Sequence, residues 1–177
     1  MGISNGGRIA VGFAIAHPER TRSLIAANAA LDGTWVPPEF KPYFVRAHAT
    51  AISRGTAAAK EELITTFPAF FPAMANVDTA AKIRRMTRDF HATQFIDGDS
   101  ERPSAPDAVH RLGSIKVPTL AIAGEYDTSY NRAIGHQIAK EVPKASLIDL
   151  KRVGHFTALE NPPAFNAGVA TFLSGPR

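Results

Sequence analysis

Seven residues constrain this chain more than any other stretch. Met1-Gly2-Ile3-Ser4-Asn5-Gly6-Gly7 spells G-x-S-x-G directly before a long apolar run. A serine at the tip of a very tight strand-to-helix turn needs near-absent side chains at the second residue before it and the second after it, and Gly2 and Gly6 occupy those places. Such a turn holds the hydroxyl clear of the backbone and sets the positive end of the following helix beneath it, where an anionic intermediate is stabilised. Ser4 is the candidate nucleophile, and the N–H of Asn5 is the candidate oxyanion donor.

Composition narrows the alternatives. With 177 residues, 45% of them apolar, the chain is long enough for a buried core. Its formal charge of +4 comes from 20 basic and 16 acidic residues, and only Arg84, Arg85 and Arg88 gather together. On a helix these three share a face, which reads as solvated; no aromatic-interleaved basic stripe points to nucleic acid. No cysteine is present, so a disulfide framework and a thiolate metal site are excluded, in keeping with the cytoplasm. The six histidines show no i, i+4 pairing, and no metal is expected. Arg8 followed by Ile9 to Ala16 mimics a short signal peptide, but the run is at the short limit and glycines stand where a basic region belongs. No stretch is long enough to span a membrane.

Along the chain, the run from Gly6 to about His17 is apolar nearly all round, with Ile9, Phe13 and Ala16 on one face, and predicts a helix buried on most sides. His17-Pro18 ends it. Ser23 to Asn28 (SLIAAN) reads as a buried parallel strand. Leu31-Asp32-Gly33 marks a boundary, after which helical patterns without strands run to roughly Gly113. Pro37-Pro38 opens the first of these helices, with Phe40, Phe44, Ala47 and Ala51 at helical spacing, and Gly55 closes it. Thr56 with Lys60 to Phe67 forms a second, and Asp78 is the expected cap of a third striped by Ile83, Met86 and Phe90. A polar loop from Asp97 to Pro106 returns the chain to the main domain, followed by a short helix around Asp107 to Leu112. Thr119 to Ala123 (TLAIA) and Ser146 to Leu150 (SLIDL) are further strands, with a helix from Asn131 to Glu141 between them. Asn161 caps a last helix that has Pro162 in its first turn.

Strands alternating with helices imply a parallel sheet, whose working residues sit on loops at the carboxyl ends of the strands. Asp127 and His155 occupy such loops, after TLAIA and SLIDL. With Ser4 they supply nucleophile, acid and base in the order Ser, Asp, His: the imidazole removes the serine proton and the carboxylate orients the imidazole. Asp127 could instead merely cap the next helix. Asp149 is the runner-up acid but falls inside a strand pattern. Glu160 reads as a helix-terminus charge, and His136 as a surface residue without a partner.

These stretches resemble an α/β-hydrolase: GISNGGRIAVGFAIAHPERTRSLI, the GEYD turn and VGHFTALENPPAFNAGVATFL. The resemblance runs from Gly2 to the C-terminus. It implies an α/β fold corresponding to the C-terminal part of that architecture, a parallel sheet with helices on both faces. Residues 1–31 and 114–177 would form the core, and 32–113 an inserted helical cap that shapes the pocket. It maps the triad onto Ser4, Asp127 and His155. The activity implied is cleavage of a carboxylic ester or lactone through an acyl-enzyme, with no cofactor. Leu31-Asp32-Gly33-Thr34-Trp35 is similar to lactonase-like members, although Trp35 could equally anchor cap to core. Carbon-carbon bond hydrolysis by the same triad is the alternative, and a non-catalytic binding module is a reading from another class.

Family members carry further strands and a second oxyanion donor before the elbow. Without them the strand Ser23 to Asn28 is expected to be an unpaired edge, open to self-association or to a complementing chain. Losing one oxyanion donor lowers the rate by ~10²- to 10³-fold. Two readings compete: a reading frame extending upstream of Met1, or a half-domain completed by another chain. Retention of all three triad residues favours the first.

Overall fold

The computed structural model describes residues 1–35, 37–97, 105 and 107–175. They divide into two compact units, Met1–Trp35 with Pro103–Arg177, and Val36–Arg102.

The first unit is built on four parallel strands. β1 (Gly2–Ile3), β2 (Leu24–Ala27), β3 (Thr119–Gly124) and β4 (Ala145–Leu150) lie in that order across the sheet. Registers are Gly2↔Ala26, Leu24↔Thr119 and Thr119↔Ala145 at the starts of the three ladders. β2 is therefore an interior strand, and the expected unpaired edge at 23–28 is corrected: Gly2 and Ile3 pair with it, two residues being enough for a short ladder. β2 and β3 are buried along their whole length, as their unbroken apolar runs LIAA and TLAIAG require.

The period-2 geometry of the strands sorts their side chains into two cores. Leu24, Ala26 and Ala121 meet Val11, Ala14 and Ile15 of α1 (Asn5–Ala16) and Ile134 and Ile138 of α8 (Ser129–Glu141). Ile25, Ala27, Leu120 and Ile122 point the other way, to Phe165 of α10 (Pro162–Ser174). Helices thus cover both faces of the sheet. Each fully buried Leu or Ile contributes about 1.5–3 kcal/mol to holding them there. The helix α1 is buried on one side only: Val11, Ala14 and Ile15 are buried, whereas Ile9 and Phe13, at 54% and 43%, are exposed. An all-round apolar sequence does not reveal which face lacks a neighbour.

The second unit is entirely helical among its described residues: α2 (Lys41–Arg54), α3 (Thr56–Thr66), α4 (Phe71–Met74), α5 (Val77–Asp89) and α6 (Gln94–Asp97). Gly55 at φ 87° separates α2 from α3. Its core is largely alanine, with Ile64 and Ile83. Phe67 gathers Phe40, Tyr43 and Phe70 edge-on at ring distances of 5.0, 5.3 and 5.7 Å. The cap of α5 is Asn76, whose side chain accepts the N–H of Thr79 at 2.9 Å, and Asp78 sits in the first turn instead. Met86 and Phe90, expected on the buried stripe with Ile83, are exposed. Of the expected loop from Asp97 to Pro106, Asp97 instead ends α6, and the rest apart from Ala105 lies outside the described residues.

The division leaves 32–35 and 103–113 with the sheet, where the sequence places them in the helical insertion. The reason is a set of ties made by Asp32. Its carboxylate meets Arg8 of α1 at 2.9 Å, and its carbonyl accepts the N–H of Val109 in α7 (Ala108–Arg111). Leu112, fully buried, lies in the core beneath α1.

Candidate active site

β1 ends at Ile3 and α1 starts at Asn5, leaving a single residue for the reversal. Ser4 takes it at φ 55°, ψ −123°, a conformation that costs a non-glycine residue about 1–3 kcal/mol. Backbone bonds over-determine it: the Ser4 N–H donates to the carbonyl of Ala27 at 3.0 Å. The Ser4 carbonyl accepts from Arg8 at 3.1 Å and from Ala30 at 3.3 Å. A Cβ on Gly2 would lie 2.0 Å from the carbonyl oxygen of Gly6, so position 2 admits glycine alone. Gly6 itself has open space around its Cα, which corrects the reading that both motif glycines are sterically required. The second close approach is at Gly7, whose Cβ would meet that of Ala29 at 2.7 Å. Asn5 is the first residue of α1, whose first turn carries no acidic side chain to oppose its positive end. The Ser4 hydroxyl makes no hydrogen bond among the described residues.

Asp127 and His155 meet two strands away. Asp127 closes the turn after β3 by donating its N–H to the Gly124 carbonyl at 3.1 Å. His155 Nδ1 lies 3.0 Å from Oδ1 and 2.9 Å from Oδ2 of Asp127, with both side chains buried. A carboxylate opposite Nδ1 selects the tautomer protonated there and leaves Nε2 with its lone pair. The N–H of Thr128 donates to Oδ1 at 2.7 Å and Asn28 Nδ2 to Oδ2 at 2.8 Å, so the buried carboxylate is fully bonded. Asp127 does not cap α8: the Thr128 side chain does, accepting from the Asn131 N–H at 3.1 Å. Close passage of the two loops depends on Gly124, whose Cβ would lie 2.0 Å from the Gly154 carbonyl.

Three residues at this site were not legible as such. Asn28 links Asp127 to the histidine loop. Thr157, first residue of the short helix α9 (Thr157–Glu160), donates its hydroxyl to Asn28 Oδ1 at 2.7 Å. Glu160, read as a terminal charge, takes the N–H groups on either side of His155, Gly154 at 2.7 Å and Phe156 at 2.9 Å. The available signal for Glu160 was its place one helical turn beyond a Gly-His turn. Asp149 lies away from His155 and faces His136 at 3.4 Å, so His136 has a partner after all. Trp35 is 74% exposed.

Ser4, Asn28, Asp127 and His155 thus follow the carboxyl ends of β1, β2, β3 and β4 in turn, along one edge of one sheet. Among the described residues no group of three or more His, Asp or Glu is placed to hold a metal ion. No helix there is long and apolar enough to cross a membrane.

No protein-family model matches the chain. Among curated proteins it is 28% identical over 178 residues to a 2-hydroxy-6-oxononadienedioate/2-hydroxy-6-oxononatrienedioate hydrolase of Burkholderia vietnamiensis, a match covering 98% of this chain and 61% of that protein. Among solved structures it is similar to MenH from S. aureus, with a TM-score of 0.78, 23% identity, and 97% and 66% of the two chains covered. It is similar also to MGS-M2, an α/β-hydrolase enzyme from a deep-sea metagenome, with a TM-score of 0.75, 24% identity, and 99% and 64% covered. The chain spans about 61% of the length of the curated relatives it first matches. By the parallel sheet with helices on both faces the chain has the fold of these α/β-hydrolase structures, and hydrolases are among the curated proteins to which it is similar.

Proposed function

We propose that this chain carries the reacting groups of a serine hydrolase that cleaves a carboxylic ester or lactone through an acyl-enzyme. Nε2 of His155 takes the proton of the Ser4 hydroxyl as its oxygen attacks the carbonyl carbon. The Asn5 N–H, at the positive end of α1, receives the developing oxyanion. The imidazolium, held at Nδ1 by Asp127, then gives its proton to the departing alkoxide. Water, activated by the same nitrogen, releases the acid and restores the serine. The reading is carried by one observation: a strained serine between strand and helix shares a sheet edge with a buried Asp127–His155 pair. The helical unit at 36–102, inserted between β2 and β3, is proposed as the cap that selects the substrate.

The test is turnover of a short-chain p-nitrophenyl ester by the full chain, paired with labelling by a fluorophosphonate. Ser4→Ala is expected to lose at least ~10³-fold in turnover and all labelling at that position. Labelling of another residue, or undiminished turnover in the variant, overturns the assignment. A second reading is favoured by the name of the Burkholderia vietnamiensis relative, whose substrate has hydroxyl, oxo and carboxylate groups but no ester. Hydrolysis of such a compound breaks a carbon-carbon bond. Turnover of a 2-hydroxy-6-oxo-dienedioate in preference to the ester would establish that activity instead.

A further inference from the structure

Asn28 is 1% exposed, takes φ 45°, and bonds to groups on every segment that supports Asp127 and His155. Its backbone is held from both sides: its N–H donates to the Ile122 carbonyl at 2.7 Å and its carbonyl accepts from Asn131 Nδ2 at 3.1 Å. Its side-chain nitrogen lies 2.8 Å from Asp127 Oδ2 and 3.4 Å from the Gly154 carbonyl. A carboxylate and a carbonyl accept only, so the atom facing them must be the NH₂ group, and this settles the orientation of the amide. The oxygen then points to Thr157, whose hydroxyl donates to it at 2.7 Å.

We propose that Asn28 is a positioning residue, whose amide sets the plane of the Asp127 carboxylate and registers it against the loop carrying His155. This rests on the reading of Asp127 and His155 as acid and base. The Asp127 carboxylate can turn about its last bond unless both oxygens are held. Thr128 holds Oδ1 through its N–H, and Asn28 holds Oδ2. With the plane set, the two oxygens sit at nearly equal distances, 3.0 and 2.9 Å, from Nδ1 of His155. The same amide donates to the carbonyl of Gly154, just before His155, and accepts the hydroxyl of Thr157, two residues beyond it. One planar group therefore spans acid and base, and it is anchored on β2, the strand that also receives the Ser4 N–H at Ala27.

Asn28→Asp isolates this role. It keeps the shape and the acceptor for Thr157, but turns the donor facing Asp127 into an acceptor. In the full chain, folded by circular dichroism, it is expected to lower kcat for a p-nitrophenyl ester ~10²-fold while KM stays within about twofold. The ring-nitrogen NMR shifts of His155 are expected to move as well. Thr157→Val, which frees the amide oxygen, is expected to move the same shifts less, and Thr157→Ser to restore them. An Asn28→Asp protein with unchanged kcat and unchanged ring shifts overturns the proposal. If Asn28→Asp does not fold, the Thr157→Val and Thr157→Ser pair decides in the same way. If the unaltered chain turns over neither the ester nor a 2-hydroxy-6-oxo-dienedioate and takes up no fluorophosphonate, the hydrolase reading fails. The His155 shifts then judge Asn28 by themselves: moved in the variant they uphold it, unmoved they overturn it.

Discussion

At the scale of single residues, the motif that opens the chain treats its two glycines alike and the structure does not. Gly2 is pinned against backbone, with 2.0 Å between a notional Cβ and the Gly6 carbonyl oxygen, and neither partner can move without unseating Ser4. Gly6 is helical with nothing within 4 Å. Gly2→Ala is therefore expected to destabilise the fold by about 1–3 kcal/mol or more, as overpacking against a rigid neighbour does. Gly6→Ala is expected to be neutral or to stabilise by up to ~1 kcal/mol, since alanine is the better helix former. Chemical denaturation of the two variants checks both, and equal losses would remove the steric account of the turn. Asp127 and Glu160 make the complementary case. Each carboxylate was visible in the sequence, but only the structure shows that Asp127 faces Nδ1 of His155 while Glu160 takes the N–H groups on either side of it.

At the scale of elements, the long apolar or strongly periodic segments were legible, and of the four-residue helices only α7, read around Asp107 to Leu112, was. SLIAAN and TLAIA became β2 and β3 because an unbroken apolar run can be satisfied only by burial on both faces. The four-residue helices α4, α6 and α9 carry too few turns to show a period, and packing rather than propensity holds them. The loops after β3 and β4 are clipped by a group that only the fold reveals. The Glu125 carboxylate accepts the N–H of Arg152 at 2.9 Å and the ammonium of Lys151 at 3.3 Å. These bonds, the Arg152 N–H first, hold its carboxyl below the ordinary value of 4.5. A folded-state value lowered in this way means the clip is fully made above the ordinary value and is lost as pH falls through the lowered one. Hydrogen exchange at the Arg152 amide is expected to quicken, relative to neighbouring amides, as the pH drops below the ordinary carboxylate range. Glu125→Gln is expected to abolish that pH dependence, and its persistence in the variant would assign it to another group.

At the scale of the whole chain, the problem solved is how an insertion of some 67 residues, Val36–Arg102, leaves the sheet unit intact. Asp32 carries much of the answer, standing just before the insertion departs and binding residues on the segment that returns from it. Its carboxylate holds Arg8 at 2.9 Å with both side chains largely buried, and also lies 3.4 Å from the N–H of Ala105. Asp32→Ala is expected to cost about 3–5 kcal/mol, because removing one partner of a buried ion pair leaves the other charge poorly solvated. Urea denaturation measures it, with Asp32→Asn expected to fall between. A loss under ~1 kcal/mol would show that the pair behaves as a surface bridge.

By itself the sequence determined the class of fold, the order of its elements and the choice of the three side chains proposed to react. Those rest on chain-local physics: burial patterns repeat with the period of the backbone, and a serine in a one-residue reversal needs glycine before it. Tertiary structure alone decided which glycines of the motif are required, which side of α1 is covered, and that Asn28 and Glu160 brace Asp127 and the loop of His155. These depend on distances between segments as far apart as β2 and α9, more than a hundred residues along the chain. A hydrogen bond is selective within a few tenths of an ångström, and only the packed sheet sets distances to that tolerance.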